Sequence, residues 1–308
     1  MDNDNFETRN VFSRLGLALF LMLQITMLIQ IIASSIIARH WGAGFLFEES
    51  RWLIWLLTGL PFYMFGVPVF YLMTRKIPSG PKGEKKEMDL KELMVMLIMC
   101  LGAAYIFNIV GSIFNILIGV IKGKDVINPL LETMEGTSLV ATVIFAGILA
   151  PIFEEYVFRG VFLDKLRVYG DETAIWVTAL AFGLFHGNLS QFFYAFILGI
   201  IFGYIAINTN QIKYTIILHM MINILGSTIM PALVLSGNKV LESIGGIFVV
   251  MVMILSVVIY SRNSSKVSFE PGLIEIDDSQ RNKIIYGNLG MILFFILCLY
   301  MFATTIIS

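Results

Sequence analysis

The sequence predicts an all-α fold, a polytopic bundle of about eight or nine transmembrane helices. Its mean hydropathy is +0.83, and 57% of the 308 residues are hydrophobic. Only 14% of the residues are charged, whereas soluble domains carry roughly 25%. The apolar residues also form long uncharged stretches, each close to the ~20 residues that cross a bilayer as a helix.

Seven uncharged stretches have the length of a single span, and they cover residues 15–38, 52–74, 93–121, 136–153, 214–238, 243–261 and 284–308. An eighth stretch, 173–212, is interrupted by Gly187-Asn188-Leu189-Ser190, which predicts two helices joined by a tight turn. The first stretch is too long for the apolar core of a signal peptide, so we expect an uncleaved first span. We expect one integral membrane domain over residues 1–308.

The lysines and arginines predict a cytoplasmic N-terminus. With that orientation, 15 of them fall on the inner side and five on the outer side, as the positive-inside rule requires. The loops 75–91 and 261–283 are then cytoplasmic and could contact anionic lipid headgroups. We therefore expect a multi-pass protein of the cell membrane with lipids as partners. The net charge of −1 gives no reason to expect a nucleic-acid partner.

Six polar side chains interrupt the apolar segments, and a charge at bilayer depth costs at least ~2.5–3.5 kcal/mol. They are Glu154, Glu155, Arg159, His186, His219 and Asn223. Such residues are rarely incidental, so we expect them to form a functional site.

The fourth span carries the acidic pair. Glu155 and Arg159 are four residues apart and share a helix face, which predicts a structural ion pair. Glu154 points about 100° away from Glu155, which leaves it free to be the working carboxylate. Pro151 should bend the helix just before this pair, because it cannot donate to the carbonyl of Gly147.

The remaining polar groups lie on the fifth and seventh spans. His186 ends the sequence Phe182-Gly183-Leu184-Phe185-His186, while His219 and Asn223 are four residues apart. At 1.5 Å per residue, Glu154, His186, His219 and Asn223 all lie roughly 10–20 Å below the inner surface. Groups at a common depth on three helices can converge.

These motifs occur in the order Glu-Glu-x-x-x-Arg, Phe-x-x-x-His and His-x-x-x-Asn. The arrangement resembles the CPBP (Abi) family of intramembrane proteases. That family includes the type II CAAX prenyl endopeptidases and bacterial proteins linked to bacteriocin self-immunity. The resemblance covers about residues 138–226 and implies a four-helix catalytic core there.

The resemblance implies a role for each residue. Glu154 and His186 would hold and deprotonate a water molecule, while His219 and Asn223 would donate hydrogen bonds to the oxyanion. Arg159 would neutralise Glu155. The protein would then hydrolyse a peptide bond of a membrane-associated peptide or protein, possibly lipidated, near the cytoplasmic leaflet and without a cofactor.

Three other interpretations remain open. Glu154, His186 and His219 could instead bind zinc, although no His-Glu-x-x-His spacing is present and Asn223 is a poor zinc ligand. The polar groups could join helices in a non-enzymatic membrane factor, such as an immunity protein that binds a toxin or its receptor. They could also relay protons in a transporter, but the interrupted helices typical of transporters are not evident.

Overall fold

The computed structural model describes residues 2–42, 45, 52–126, 128, 129, 137–234, 236–264 and 267–307. Its helices are α1 Asp2–Trp41, α2 Trp52–Thr74, α3 Leu90–Lys122, α4 Leu139–Tyr169, α5 Asp171–Phe185, α6 Leu189–Thr209, α7 Lys213–Ile224, α8 Lys239–Asn263, α9 Arg281–Ile285 and α10 Leu289–Ile307. After α7 the chain remains helical through Leu225–Ile229 and Met230–Val234. No strand occurs in these ranges, which confirms the predicted all-α class.

Seven of these helices are long and apolar enough to cross a bilayer: α1, α2, α3, α4, α6, α8 and α10. The other three helices are shorter, with 15 residues in α5, 12 in α7 and five in α9. His186 follows the last residue of α5, and His219 lies within α7. The protein is therefore a polytopic helical bundle, as expected. Arg51 and Lys266, which entered the charge count, lie outside the described residues.

The predicted break in the stretch 173–212 is present. Helix α5 ends at Phe185, and Gly187 takes a left-handed conformation with φ of 66°, which glycine adopts without strain. The Asn188 side chain then accepts a hydrogen bond from the Gln191 amide and caps α6. This three-residue turn places His186 at the end of α5, inside the bundle.

Close helix contacts form the frame around this turn. Helix α6 packs between α5 and α3, α8 packs on the other side of α3, and α1 lies between α2 and α10. Helix α4 contacts α5 and α7. The tightest of the α5–α6 contacts is at Gly199, where an added Cβ would lie 2.8 Å from the Ala179 Cα atom. Small residues allow such approach between membrane helices, and this one fixes α6 beside α5.

We predict that Gly199→Ala destabilises the fold by about 1–3 kcal/mol, the usual cost of overpacking. The new methyl group would meet backbone atoms that cannot rotate away. Gly246→Ala on α8 is the matched control, because nothing lies within 4 Å of its added Cβ. The unfolding temperature of the purified protein in detergent measures both. Equal unfolding temperatures for the Gly199 and Gly246 variants would contradict the close α5–α6 contact.

Candidate active site

The segment of α4 before the acidic pair is a π-helix, with wide turns over Val143–Leu149. In this register the Ala150 amide donates to the carbonyl of Phe145, five residues earlier. The next donor in the series would be Pro151, which has no N–H. The carbonyl left without its helical donor is therefore that of Ala146, and not that of Gly147 as the sequence analysis assumed from α-helical spacing.

Asn223 on α7 satisfies this carbonyl. Its Nδ2 atom donates to the Ala146 oxygen at 2.8 Å. Pro151 and Asn223 therefore act together. A π-helical segment of this kind is frequent at functional sites. The missing amide of α4 creates an acceptor, and the carboxamide of α7 ties the two helices together there. One of the two Asn223 N–H groups is used in this way, and the other can still serve a ligand.

The expected ion pair is present at full burial. Arg159 Nη1 lies 2.8 Å from Glu155 Oε1, and neither side chain is exposed to solvent. The faces of the guanidinium are covered by Phe182 and Phe202, whose ring centres lie 4.4 and 5.2 Å from Arg159 Cζ. Such stacking stabilises a desolvated cation. Phe182 of the Phe-x-x-x-His motif therefore packs against the arginine of the first motif, a contact that sequence spacing did not indicate.

His219 connects the two glutamates. Its Nδ1 atom lies 2.9 Å from Glu155 Oε1, and its Nε2 atom lies 3.8 Å from Glu154 Oε2. Arg159 favours the ionised form of Glu155, and an ionised carboxylate can only accept hydrogen bonds. We therefore assign a proton to Nδ1 of His219. This orients the ring and leaves Nε2 aimed at Glu154.

His186 is oriented by the backbone of its own helix. Its Nδ1 atom lies 2.8 Å from the Phe182 carbonyl oxygen, which also can only accept. In the neutral ring Nδ1 then carries the proton, and Nε2 is an acceptor. The family resemblance implies a pairing of His186 with Glu154. At ion-pairing distance, however, the imidazole beside Glu154 is that of His219.

One cavity of about 330 Å³ brings the four expected residues together. Glu154, His186, His219 and Asn223 all line it, whereas Glu155 and Arg159 do not. Glu154 keeps 14% of its side-chain surface exposed, and Glu155 keeps none. The two adjacent carboxylates therefore occupy different environments, with one buried in an ion pair and the other facing the cavity.

The cavity also has polar lining residues that the motif analysis did not assign to the site. These are Thr26 and Gln30 of α1, Thr58 and Tyr63 of α2, and Gln191 and Tyr194 of α6. The Tyr63 ring stacks on Phe153 at a centroid distance of 4.3 Å, next to Glu154 in the chain. Gln30 donates through Nε2 to the Thr58 carbonyl at 3.1 Å. Gln30, a polar residue in the first span, is only a weak indication in the sequence that a cavity lies there, because polar residues also join membrane helices by hydrogen bonds.

The donor set offers limited support for a metal centre. Among the described residues, no group of three or more His, Cys, Asp or Glu side chains is arranged to hold a metal ion. The two imidazoles nevertheless have the outer hydrogen bonds that metal-bound histidines use. The protonation of His219 Nε2 distinguishes the alternatives, since a zinc ligand needs a lone pair there and an oxyanion donor needs a hydrogen.

Comparison with known proteins finds one matching family. Residues 136–225 match the family described as type II CAAX prenyl endopeptidase Rce1-like. The same comparisons find no matching curated protein and no matching solved structure. The matched segment begins three residues before α4 in the sequence and ends just after Asn223, so it contains all three motifs. It confirms the resemblance to the CPBP proteases over this part of the chain.

We predict that Arg159→Met lowers the free energy of unfolding by about 3–5 kcal/mol, the cost of leaving one charge of a buried pair alone. The double variant Glu155→Gln/Arg159→Met removes both charges and should recover part of this loss. Arg262→Met, at the exposed end of α8, is the control for losing an arginine. Thermal unfolding in detergent measures these three variants and the single variant Glu155→Gln. If the double variant were as unstable as the sum of its single variants, Glu155 and Arg159 would not be energetically coupled.

Proposed function

We propose that this protein is an intramembrane endopeptidase that hydrolyses a peptide bond with a glutamate-activated water. The observation that carries the proposal is the placement of Glu154. It faces a cavity, with His219 Nε2 at 3.8 Å, and the other ring nitrogen of that histidine contacts the buried Glu155–Arg159 pair. The match of residues 136–225 to the Rce1-like endopeptidases supports the same reaction.

Glu154 and His186 are suited to hold the water. Both the Glu154 carboxylate and the His186 Nε2 atom are acceptors and line the same cavity, and we infer that one water molecule donates a hydrogen to each. The lone pairs of its oxygen then remain available to attack the scissile carbonyl carbon. As the new C–O bond forms, the proton passes from the water to Glu154, which acts as general base.

The negative charge that develops on the carbonyl oxygen needs hydrogen-bond donors. His219 supplies one when Nε2 is protonated, and the second N–H of Asn223 supplies another. In other hydrolases one such donor contributes about 2.7–4 kcal/mol to catalysis. Collapse of the tetrahedral intermediate breaks the C–N bond, and Glu154 returns its proton to the leaving amine. No covalent enzyme intermediate is needed.

The proposed setting is the cell membrane with the N-terminus in the cytoplasm. The substrate is a membrane-associated or lipidated peptide or protein, and membrane lipids are the other partners. The reaction is proposed to need no cofactor, because water is activated by Glu154 itself. Zinc bound by Glu154, His186 and His219 is the alternative, and the outer hydrogen bonds of the two imidazoles are what favour it.

A non-enzymatic immunity or binding factor is the competing function. The family that the motifs resemble includes proteins linked to bacteriocin self-immunity, so the fold alone does not separate the two. The hydrolase is favoured by the environment of Glu154. A purely structural carboxylate would be expected to be paired like Glu155, whereas Glu154 faces a cavity that water can enter.

We predict that Glu154→Gln abolishes cleavage while the protein folds normally, because the amide cannot accept the proton of the attacking water. A general base contributes typically ~10²–10⁴-fold to rate. Glu172→Gln, an exposed position in the first turn of α5, is the matched control and should keep full activity. Membrane-peptide profiles of cells that express each form measure the effect. A fragment that depends on Glu154 would also identify the substrate.

Two results would contradict the proposal. Full cellular function in the Glu154→Gln form would favour the binding factor. Activity that a chelator removes and zinc restores would establish the zinc mechanism instead of the metal-free one.

A further inference from the structure

The two ends of the bundle differ in their loops and charges. At one end, the Arg14 side chain donates to the Met73 carbonyl, and the Gly80 amide donates to the Asp164 carbonyl. The loops 75–89 and 267–280 lie at this end with the start of α1 and the end of α4. All described lysines and arginines of the predicted cytoplasmic side belong to these segments or their flanking helix ends. We call this the basic end.

The cavity of Glu154 extends toward the opposite end. Its lining comes from the later half of α1, the first half of α2, the part of α4 up to its midpoint at Glu154, the last turn of α5, the first turns of α6, the later half of α7 and the later half of α10. Each of these segments lies far from the basic end of its helix. Gln30 of α1 and Thr58 of α2 are hydrogen-bonded at this opposite level, and both line the cavity.

Packed side chains close the path from Glu154 to the basic end. A second cavity, of about 420 Å³, enters from that end and reaches Arg159. It shares no lining residue with the first cavity. The buried Glu155–Arg159 pair and the fully buried Phe158 and Phe162 lie in α4 between them. The cavity that enters from the basic end reaches Arg159 and is not continuous with the cavity of Glu154.

The loop that covers the basic end is held by several contacts. Glu87 lies 2.6 Å from Lys213 Nζ and accepts a hydrogen bond from the Tyr214 hydroxyl at 2.5 Å, while the Met88 amide donates to the same hydroxyl. The hydrogen bonds from Lys213 and Tyr214 hold the pKa of Glu87 at about 2. Glu87 becomes protonated only when the pH falls toward that value. Its contacts with Lys213 and Tyr214 therefore persist at physiological pH.

The lining of the first cavity also restricts what can enter. No lysine or arginine is among its described lining residues, so the cavity offers no permanent cation to pair with the terminal carboxylate of a peptide. A volume of about 330 Å³ is at the low end for ligand pockets. An α-helix with side chains is about 10–12 Å wide, so only a short unwound stretch of chain fits.

We propose that the substrate enters from the extracytoplasmic side. By the positive-inside rule the basic end is cytoplasmic, so the cavity that contains Glu154 opens toward the other face of the membrane. The substrate class is then a membrane-anchored polypeptide with an uncharged, unwound stretch in the outer half of the bilayer. This inference rests on the proposed hydrolase function. It differs from the expectation of cleavage near the cytoplasmic leaflet. That expectation was based on the depth of each residue from its helix end, which does not indicate where a cavity opens.

Cysteine labelling tests the direction of access. The native Cys100 and Cys298 are fully buried, so they should not react with the labelling reagent. Single cysteines can therefore be introduced into the native chain. Thr58→Cys reports the cavity, and Lys82→Cys reports the exposed basic end. Leu60→Cys is the matched control, because Leu60 is exposed at nearly the same level of α2 but does not line the cavity.

A membrane-impermeant maleimide added to intact cells should label Thr58→Cys. It should label Lys82→Cys only after the membrane is permeabilised, and it should not label Leu60→Cys, which faces lipid. Labelling of Thr58→Cys only after permeabilisation would overturn the proposal, and so would its failure to react in either condition. The assay does not depend on catalysis. The same labelling in a Glu154→Gln background with full cellular function would therefore reject the hydrolase while leaving the access route intact.

Discussion

The buried chain of charges from Arg159 through Glu155 to His219 is the constraint on which the site depends. A lone carboxylate at this depth would be costly, but the arginine at 2.8 Å offsets its charge and two phenylalanine rings enclose the guanidinium. The carboxylate, fixed in this way, orients the imidazole of α7. Helices α4, α5, α6 and α7 all contribute to this arrangement, because Phe182 and Phe202 lie on α5 and α6. Glu154, in contrast, lines the cavity and keeps 14% of its side-chain surface exposed.

The backbone of α4 provides a second connection to α7. Its wide turns and Pro151 leave the Ala146 carbonyl without a helical donor, and Asn223 of α7 supplies one. The carboxamide and the imidazole of α7 are four residues apart, so one helix face both anchors α4 and presents two groups to the cavity. Asn223 thus has both a structural contact, with the Ala146 carbonyl, and a proposed catalytic contact. Substitutions of Asn223 will accordingly affect stability and activity together.

Sequence patterns could predict the helices, the break near Gly187 and the Glu155–Arg159 pair, because each depends on local spacing. The position of Glu154 apart from its neighbour followed from helix geometry in the same way. The contact between Asn223 and Ala146 could not be predicted, since it depends on a π-helical register that local spacing does not specify. The approach of His219 to both glutamates and the stacking of Phe182 on Arg159 depend on how separate helices pack. The direction in which the cavity opens likewise depends on the whole bundle, including polar residues of α1 and α2 outside the three motifs.

The central claim is tested most directly by measuring which ring nitrogens of His219 are protonated. The protein contains only three histidines, so ¹⁵N NMR of the histidine-labelled protein in detergent can resolve each ring, with His219→Gln for assignment. The account predicts a proton on Nδ1 of His219, hydrogen-bonded to Glu155, and a change in that signal in Glu155→Gln. A neutral His219 ring protonated only on Nε2 would contradict it, because the link from the buried ion pair to the cavity would then not exist.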